Sequence, residues 1–179
     1  GAPRFDQDWF PTLDAAVAYR MVRRLKPARI VEIGSGHSTR FLARAIGDGG
    51  LATDMIAIDP APRAAIRALP IRHVADTIPS RGSHVGAAGA DAGRADADGA
   101  GGPALAAIAS LGAGDMLFVD SSHILVPGSD VDFLLNRVLP ALPPGAVVHI
   151  HDMLLPDPYP ARWDWYGYNE QNAVLPLLT

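Results

Sequence analysis

Cysteine is absent from the 179-residue sequence. Its absence excludes a disulfide framework, and it excludes a thiol as nucleophile or metal ligand. No apolar run approaches the ~20 residues that a membrane-spanning helix needs. Positive charge is also scarce, because 15 lysines and arginines face 19 acidic residues and leave a net charge of −4. A nucleic-acid-binding surface is therefore not indicated, and we expect neither a nucleic-acid nor a membrane partner.

The sequence does contain enough apolar material for one core, since hydrophobic residues make up 49% of it. At this length we expect a single domain over residues 1–179. Within it, residues 80–102 are low in complexity, because 14 of these 23 residues are Gly or Ala. Such a stretch buries too little apolar area to offset its chain entropy, so we predict a flexible surface insertion. No secretion signal is recognisable, and a cytoplasmic location is the default expectation.

The most informative pattern lies in residues 29–46. The apolar run Ile30–Ile33 carries one acid, Glu32, and breaks at Gly34–Gly36. After the break, apolar residues recur with helical spacing. We therefore predict a strand, a tight turn and a helix, with Ser38 and Thr39 as N-caps. This is the first unit of a doubly wound α/β sheet, in which ligands bind beyond the carboxyl ends of the strands.

The turn does not fit the dinucleotide-binding fingerprint, which needs a third glycine where this sequence has Thr39. The pattern Glu-x-Gly-x-Gly-x-Ser over residues 32–38 instead resembles motif I of class I S-adenosylmethionine-dependent methyltransferases. A carboxylate near the turn suits a cationic amino-acid group better than a pyrophosphate, which it would repel. A plain strand–turn–helix junction is the alternative. The resemblance implies that residues of this motif hold the methionine part of the cofactor: Glu32, Gly34, Ser35, Gly36 and Ser38.

A second acid follows the next buried run. Met55–Ile58 is typical of a strand, and Asp59 stands at its tip. The two carboxylate oxygens of Asp59 can accept from the 2′ and 3′ hydroxyls of a ribose, although a turn or capping aspartate is the alternative. The resemblance to class I methyltransferases implies that Asp76, after the third predicted strand, is a candidate for an adenine contact.

The remaining elements alternate between strands and helices. Strands are predicted over residues 71–75, 114–119 and 146–150, and helices over 12–26, 61–68, 104–111 and from 129 onwards. Thr12 is expected to cap the first helix. Its apolar stripe is expected at Leu13, Val17 and Met21, together with Ala18, Val22 and Leu25. The alternation predicts a three-layer, Rossmann-like α/β fold with a parallel sheet and helices on both faces. Class I methyltransferases usually continue into two further strands. The sequence shows no counterpart for them, so we expect a fragment or missing C-terminal strands.

Two strand tips carry both acid and imidazole groups. Asp120 and His123 follow the fourth predicted strand, and His151 and Asp152 follow the fifth. Because these strands neighbour the first in such a topology, the four side chains should converge beside the cofactor's methyl group. They could hold a divalent ion: Mg²⁺ prefers oxygen ligands, whereas histidine shifts the preference towards Mn²⁺, Fe²⁺ or Zn²⁺. A general-base role for His123 and ordinary loop roles for all four are the alternatives.

The second half of the chain resembles the small methyltransferase family labelled type 24. The segments that carry the resemblance are Val119–His123, Pro127–Asp130, Leu139–Gly145, His149–Asp152, Tyr159–Pro160, Trp163 and Asn169–Gln171. The chain is more distantly similar to the rhamnosyl O-methyltransferase and cephalosporin hydroxylase group, in which an acid after strand 4 and an acidic pair after strand 5 hold Mg²⁺. The resemblance places these ligands at Asp120, His151 and Asp152. Because His151 stands where an acid is usual, a different metal or none stays open.

Together the resemblances imply an S-adenosylmethionine-dependent methyltransferase that transfers a methyl group to a hydroxyl of a small molecule or sugar. We expect Asp120 to contact the cofactor, and Asp120, His123 and His151 to act on the acceptor. A nicotinamide oxidoreductase and a non-catalytic cofactor-binding domain are the alternatives, and homo-oligomerisation stays open. The aromatic-rich loop 156–168 either closes over the acceptor or packs on the protein.

Overall fold

The computed structural model describes residues 2–79 and 102–178. The predicted insertion lies outside these ranges, apart from Gly102. Within them the chain forms one five-stranded parallel sheet in the order β3-β2-β1-β4-β5. All five predicted strands are confirmed, with ends that differ from the predictions by two residues at most. They are β1 (Arg29–Ile33), β2 (Asp54–Ile58), β3 (Arg72–Val74), β4 (Met116–Val119) and β5 (Val147–Ile150).

The register aligns the carboxyl ends of four strands. The last residue of β1 is level with the last residues of β2 and β4, and the last residues of β4 and β5 are level with each other. The residue that follows each strand therefore leaves the sheet at the same edge. These residues are Gly34, Asp59, Asp120 and His151.

Helices cover both faces of the sheet, which confirms the predicted three-layer Rossmann-like fold. One face packs on α1 (Thr12–Leu25) and α2 (His37–Asp48), and the other packs on α3 (Pro103–Ala109) and on a helical stretch over 130–141. This stretch consists of α4 (Asp130–Phe133), a π-helical segment (Leu134–Val138) and α5 (Leu139–Ala141). Beyond β5 the elements are a 3-10 helix (Ala161–Tyr166), α6 (Gln171–Val174) and a second 3-10 helix (Leu175–Leu177).

Helix α1 forms where the sequence predicts it, and two residues of its predicted stripe, Ala18 and Val22, are buried. Its buried residues are Ala15, Ala18 and Val22. Leu13 is 74% exposed and Val17 is 43% exposed, so the predicted stripe was wrong at both positions. Small side chains face inwards because they let α1 pack closely against neighbouring core residues, and the larger aliphatic residues are left on the outer side.

The predicted helix caps have mixed outcomes. The residues before α1 and α2 are a proline and a glycine, so Thr12, Ser38 and Thr39 are not N-caps but helical residues. The hydroxyls of Ser38 and Thr39 donate to the Glu32 side chain instead. Ser129 caps α4 as predicted, because its hydroxyl accepts the Asp132 N–H at 3.1 Å.

The helix predicted over residues 61–68 is absent, and this segment consists of bends and turns. Pro60 and Pro62 lack backbone donors, which limits a short helix here. The Arg63 N–H donates instead to the Ser35 carbonyl at 3.2 Å. The segment is therefore tied to the turn after β1 rather than to its own helical ladder.

No helix in the two described ranges is long and apolar enough to cross a membrane. The cytoplasmic location stays a prediction.

Candidate active site

The turn after β1 lies directly against the end of β4. Gly34 has a φ of +79°, and a Cβ at this position would lie 2.0 Å from the carbonyl oxygen of Asp120. The Gly34 N–H donates to the Ile58 carbonyl at 3.0 Å, and the Asp120 N–H donates to the Ile33 carbonyl at 2.8 Å. The contact between neighbouring strand ends therefore requires glycine here, before any ligand is considered.

Glu32 lies within β1 and has no exposed surface. Its two carboxylate oxygens accept hydroxyl hydrogens from Ser38 and Thr39, each at 2.7 Å. Burial raises the pKa of Glu32 to about 8, although the two hydroxyl donors oppose the shift. The carboxyl group thus fastens the first turn of α2 to β1, and its predicted contact with a cofactor stays a prediction.

Asp59 fixes the same turn from the side of β2. Its Oδ2 accepts the Ser35 N–H at 2.7 Å, and its Oδ1 accepts the Ala61 N–H at 2.7 Å. Each oxygen keeps a further lone pair for another donor. Asp59 therefore positions the turn while remaining able to bind a hydroxyl-bearing ligand, and its predicted ribose contact stays a prediction.

A cavity of about 410 Å³ opens at this edge of the sheet, within the ~300–1,000 Å³ that small-molecule sites occupy. Gly34, Asp59 and Asp120 all line it, together with Asp76 from the segment after β3. The structure thus brings three of the sequence-predicted cofactor residues into one hollow. The other four are buried and do not line it: Glu32, Ser35, Gly36 and Ser38.

A larger cavity, of about 940 Å³, lies between the N-terminal segment, α1 and α2. It is away from the carboxyl ends of the strands, and its lining residues within the described ranges include no histidine. The smaller cavity is the better candidate, because ligands of open α/β sheets bind at the carboxyl edge.

The four acid and imidazole groups at the tips of β4 and β5 come together. His123 Nε2 lies 3.2 Å from Asp120 Oδ1 and 3.7 Å from Asp152 Oδ2. His151 Nδ1 lies 3.5 Å from Asp120 Oδ1 and 3.5 Å from Asp152 Oδ1. Both histidines are buried. We call these four residues the acid–imidazole cluster.

Two members of this cluster have strained backbones. His123 has a φ of +59° and Asp152 has a φ of +55°, in the left-handed region that non-glycine residues seldom adopt. Such conformations persist where the surroundings enforce them, and they concentrate at functional sites. The strain supports the cluster as a site.

Two carboxylates join the cluster that the sequence did not predict as site residues. Glu170 is buried, and its Oε2 lies 2.9 Å from His123 Nδ1. Asp14 of α1 places its Oδ2 3.6 Å from His151 Nε2. Glu170 lies inside the Asn169–Gln171 segment of the family resemblance, and that segment was the one sequence feature that pointed to it. No sequence feature pointed to Asp14, because its partner, His151, is more than 130 residues away in the chain.

A family model described as a methyltransferase domain matches residues 31–153. The chain belongs to this methyltransferase family. It has no significant match among curated proteins or solved structures.

The match spans β1 to the tip of β5, so it contains every site residue that the sequence predicted in this methyltransferase. Glu170 and the aromatic residues after Asp152 lie beyond it. The family match therefore gives no information on those parts of the site.

The acid–imidazole cluster shifts the protonation of its own members. Burial raises the pKa of Asp120, but His123 and His151 outweigh burial and hold this pKa well below its usual range. Burial lowers the pKa of His123, yet Asp120 and Glu170 raise it overall to about 9. Burial also opposes the shift of His151, whose pKa Asp120 and Asp14 raise to about 10. At neutral pH both imidazoles are thus protonated, and either must lose its proton before it can act as a base.

The ligand atoms of the cluster are of types that bind a divalent ion. Asp120, His123 and His151 each offer one ligand atom, and the three atoms lie within 4.8 Å of one another. Both ring nitrogens of His151 are buried without a hydrogen-bond partner. One carboxylate and two imidazoles suit Mn²⁺, Fe²⁺ or Zn²⁺ better than Mg²⁺. Asp152, the third ligand implied by the family resemblance, lies 3.5 Å from His151 and could complete the set.

Aromatic rings flank the cluster on both sides. The Phe10 ring lies 5.0 Å from the His151 ring, and the Tyr168 ring lies 4.8 Å from the His123 ring. Phe10 is buried. The N-terminal aromatic segment and the loop after β5 therefore both border the site.

Proposed function

We propose that the chain is an S-adenosylmethionine-dependent methyltransferase that methylates a hydroxyl of a small molecule. The observation that carries the proposal is the shared cavity of Gly34, Asp59 and Asp120 at the carboxyl edge of the sheet. Asp120 also belongs to the acid–imidazole cluster. A cofactor in this cavity would therefore lie next to groups able to handle a proton.

In this proposal, the parts of the cofactor are divided among the strand tips. Asp59 binds the ribose hydroxyls, and the segment after β3, which includes Asp76, borders the adenine. The turn at 34–36 receives the methionine part, and Asp120 faces its cationic end. Glu32 supports this arrangement from behind, because it holds Ser38 and Thr39 in the first turn of α2.

The reaction is a direct displacement. The acceptor oxygen forms a bond to the methyl carbon while the sulfur–methyl bond breaks, and the sulfonium becomes a neutral thioether. The hydroxyl proton must leave the acceptor oxygen, and His123 in its neutral form is the candidate base when no ion is bound. Positioning supplies much of the rate, because the reacting atoms must be aligned at short range.

A divalent ion is part of the proposal as an assisting group. Asp120, His151 and Asp152, with His123 as a further ligand, would hold it. When bound, such an ion would lower the pKa of the acceptor hydroxyl. The supporting observation is that both ring nitrogens of His151 are buried without a hydrogen bond, although three carboxylates lie 3.5–3.6 Å away.

Binding measurements separate this proposal from its two alternatives. Isothermal titration calorimetry should show that S-adenosylhomocysteine binds at micromolar concentration and that NAD does not. Binding of NAD alone would favour the oxidoreductase. Binding of S-adenosylhomocysteine without methyl transfer to any acceptor would favour the non-catalytic domain.

A matched pair of variants tests the placement of the cofactor. Asp54 is the first residue of β2 and Asp59 directly follows its last. Asp54 forms exposed ion pairs with two arginines. We expect Asp59→Asn to weaken S-adenosylhomocysteine binding by about tenfold, the loss of one charge-assisted hydrogen bond. Asp54→Asn should leave binding unchanged. Equal affinities for the two variants would remove the ribose role of Asp59.

A further inference from the structure

The proposed cofactor cavity is lined mainly by acids where its lining is charged. Its carboxylates come from the residues after β2, β3 and β4 and from the start of α4: Asp59, Asp76, Asp120 and Asp130. Arg63 is the one basic residue among the lining residues in the described ranges. Because the acids repel a negatively charged group of a ligand, such a group is favoured in this cavity only near Arg63.

The turn after β1 has no spare amide donor for an anion at positions 34–36. The N–H groups of these three residues all donate within the protein. Their acceptors, in chain order, are the Ile58 carbonyl at 3.0 Å, the Asp59 carboxylate at 2.7 Å and the Thr39 hydroxyl at 2.8 Å. Since each amide has one hydrogen to donate, an anion beside this turn needs a donor from another segment.

The backbone of Arg63 lies against this same turn. Its N–H donates to the Ser35 carbonyl at 3.2 Å, and a Cβ added to Gly36 would lie 3.3 Å from the Arg63 Cβ. Burial raises the pKa of Tyr168, and the positive charge of Arg63 opposes this rise. Tyr168 contacts His123 of the acid–imidazole cluster. The guanidinium therefore acts on the side of the cavity where the methyl transfer is proposed to occur.

Trp9 holds the guanidinium from the outer side. The Arg63 Cζ atom lies 4.3 Å from the centroid of the Trp9 ring, which is a cation–π contact. The Gln7 side chain accepts the N–H groups of Trp9 and Phe10 at 2.9 and 2.8 Å, and Phe10 is buried in the core. The segment thus fixes the Trp9 ring. Stacking uses the flat face of the guanidinium, whereas its N–H groups donate from the edge.

We propose that Arg63, positioned by Trp9, binds the α-carboxylate of the cofactor's methionine part. The inference rests on the proposed methyl transfer and identifies the residue that recognises the amino-acid end of its cofactor. A guanidinium can donate two parallel hydrogen bonds to one carboxylate. With the carboxylate at Arg63, the ammonium and sulfonium groups lie towards Asp120. The cavity thus separates the negative group of the methionine part from its positive groups.

The experiment compares two ligands that differ only in the carboxylate: S-adenosylhomocysteine and its decarboxylated analogue, S-adenosyl-3-thiopropylamine. Isothermal titration calorimetry measures both affinities. We expect the parent protein to bind S-adenosylhomocysteine about tenfold more tightly than the analogue. Arg63→Gln should weaken S-adenosylhomocysteine binding by about tenfold and change analogue binding by less than about threefold. Arg67→Gln, which removes an exposed arginine of the same segment, should change neither affinity.

Binding of the analogue shows that a variant is folded, so each outcome decides between the possibilities. Equal affinities of the parent protein for the two ligands would overturn the proposal. An unchanged preference in Arg63→Gln, or equal losses of both ligands, would also overturn it. Failure of the parent protein to bind S-adenosylhomocysteine would instead refute the methyltransferase function on which the proposal rests.

Variants of Trp9 test its positioning role. We expect Trp9→Leu to weaken S-adenosylhomocysteine binding by about 2- to 5-fold, the strength of an exposed cation–π contact, and to leave analogue binding unchanged. Trp9→Phe keeps an aromatic face and should restore part of the loss. Trp165→Leu removes a tryptophan that is 76% exposed in the loop after β5 and should change neither affinity. Equal losses of both ligands in Trp9→Leu would overturn the positioning role.

Discussion

The contact between His123 and Glu170 shows how one buried side chain sets the charge of another. Glu170 Oε2 lies 2.9 Å from His123 Nδ1, and both residues are almost fully buried. A negative charge at this distance, with little water to screen it, favours the imidazolium form. Glu170 therefore acts on the site through His123, as a positioning residue.

We expect Glu170→Gln to lower the pKa of His123 from about 9 towards its ordinary value, because the amide removes the charge and keeps the shape. NMR titration of the metal-free protein measures this directly. Asp48→Asn, which removes an acid on the exposed end of α2, is the matched control and should leave the His123 titration in place. An unshifted His123 pKa in Glu170→Gln would show that Glu170 does not contribute to it.

Glu32 should make stability fall as pH rises. Its pKa is about 8 in the folded protein, against ~4.3 in an unfolded chain. Between these values the folded state keeps a proton that the unfolded state has lost, so the free energy of unfolding decreases with pH by up to ~1.4 kcal/mol per unit. Below the lower value and above the higher one, this contribution is flat.

We therefore predict that Glu32→Gln gains stability relative to the parent as pH rises from 5 to 8, measured by urea unfolding. Using the difference between the two proteins cancels the contributions of His123 and His151, whose raised pKa values also favour the folded state at low pH. A constant difference across this range would mean that Glu32 is already ionised in the folded protein.

At the level of single residues, the sequence predicted the parts of the site that follow strand ends. Asp59 and Asp120 could be found because each stands directly after an apolar run. Glu170 could not be assigned a role, because its contact with His123 spans 47 positions of chain and depends on how the last segment folds back. The burial of Glu32 was also missed, since a motif shows residue types but not which side chains the turn covers.

Among the structural elements, the turn between β1 and α2 is the most constrained. A Cβ on Gly34 would lie 2.0 Å from the Asp120 carbonyl oxygen, and φ is +79°. Both the clash and the left-handed backbone oppose a side chain, and neither can relax without moving β4 away from β1. The turn and the sheet edge are thus one unit.

We expect Gly34→Ala to destabilise the protein by about 3 kcal/mol or more, since strain and a backbone clash add to each other. Gly47→Ala is the control: it lies in α2, and an added Cβ meets nothing within 4 Å. Alanine there should stabilise by about 0.5–1 kcal/mol, because glycine is a poor helix former. Urea unfolding of both variants checks the pair, and similar free energies would contradict the close packing of the two strand ends.

Elements were predictable to different degrees for a physical reason. Strands of a parallel sheet are buried on both faces, so they read as continuous apolar runs with clear ends. Helix faces depend on the neighbours against which they pack, and α1 accordingly buries Ala15, which was not predicted, and exposes Leu13, which was. The helix expected over 61–68 failed because tertiary hydrogen bonds and two prolines outweighed local propensity.

In the whole molecule, the carboxyl ends of the parallel strands lie at one edge of the sheet, and this arrangement determines where the candidate site forms. The alternation of strands and helices predicted that arrangement, and the register then brings residues from four strand ends to one edge. What alternation cannot predict is the closure of the site by the first helix and the last segment. Asp14 and Glu170 enter from these two regions, so the cluster joins elements from nearly the full length of the described chain.

Because the cluster joins distant parts of the chain, the melting temperature can report ion binding at the proposed metal site. An ion bound by the folded state alone stabilises it by ~2.7 kcal/mol at 100 times its dissociation constant, which corresponds to about 5–10 °C in melting temperature at this chain length. We expect Mn²⁺ to raise the melting temperature more than Mg²⁺ does, because two of the candidate ligands are imidazoles. The effect should grow with pH, since the ion must displace protons from His123 and His151.

Asp120→Asn should abolish the rise in melting temperature, and Asp54→Asn should retain it. Unchanged melting of the parent protein with every ion would remove the metal from the proposal and leave His123 as the candidate base.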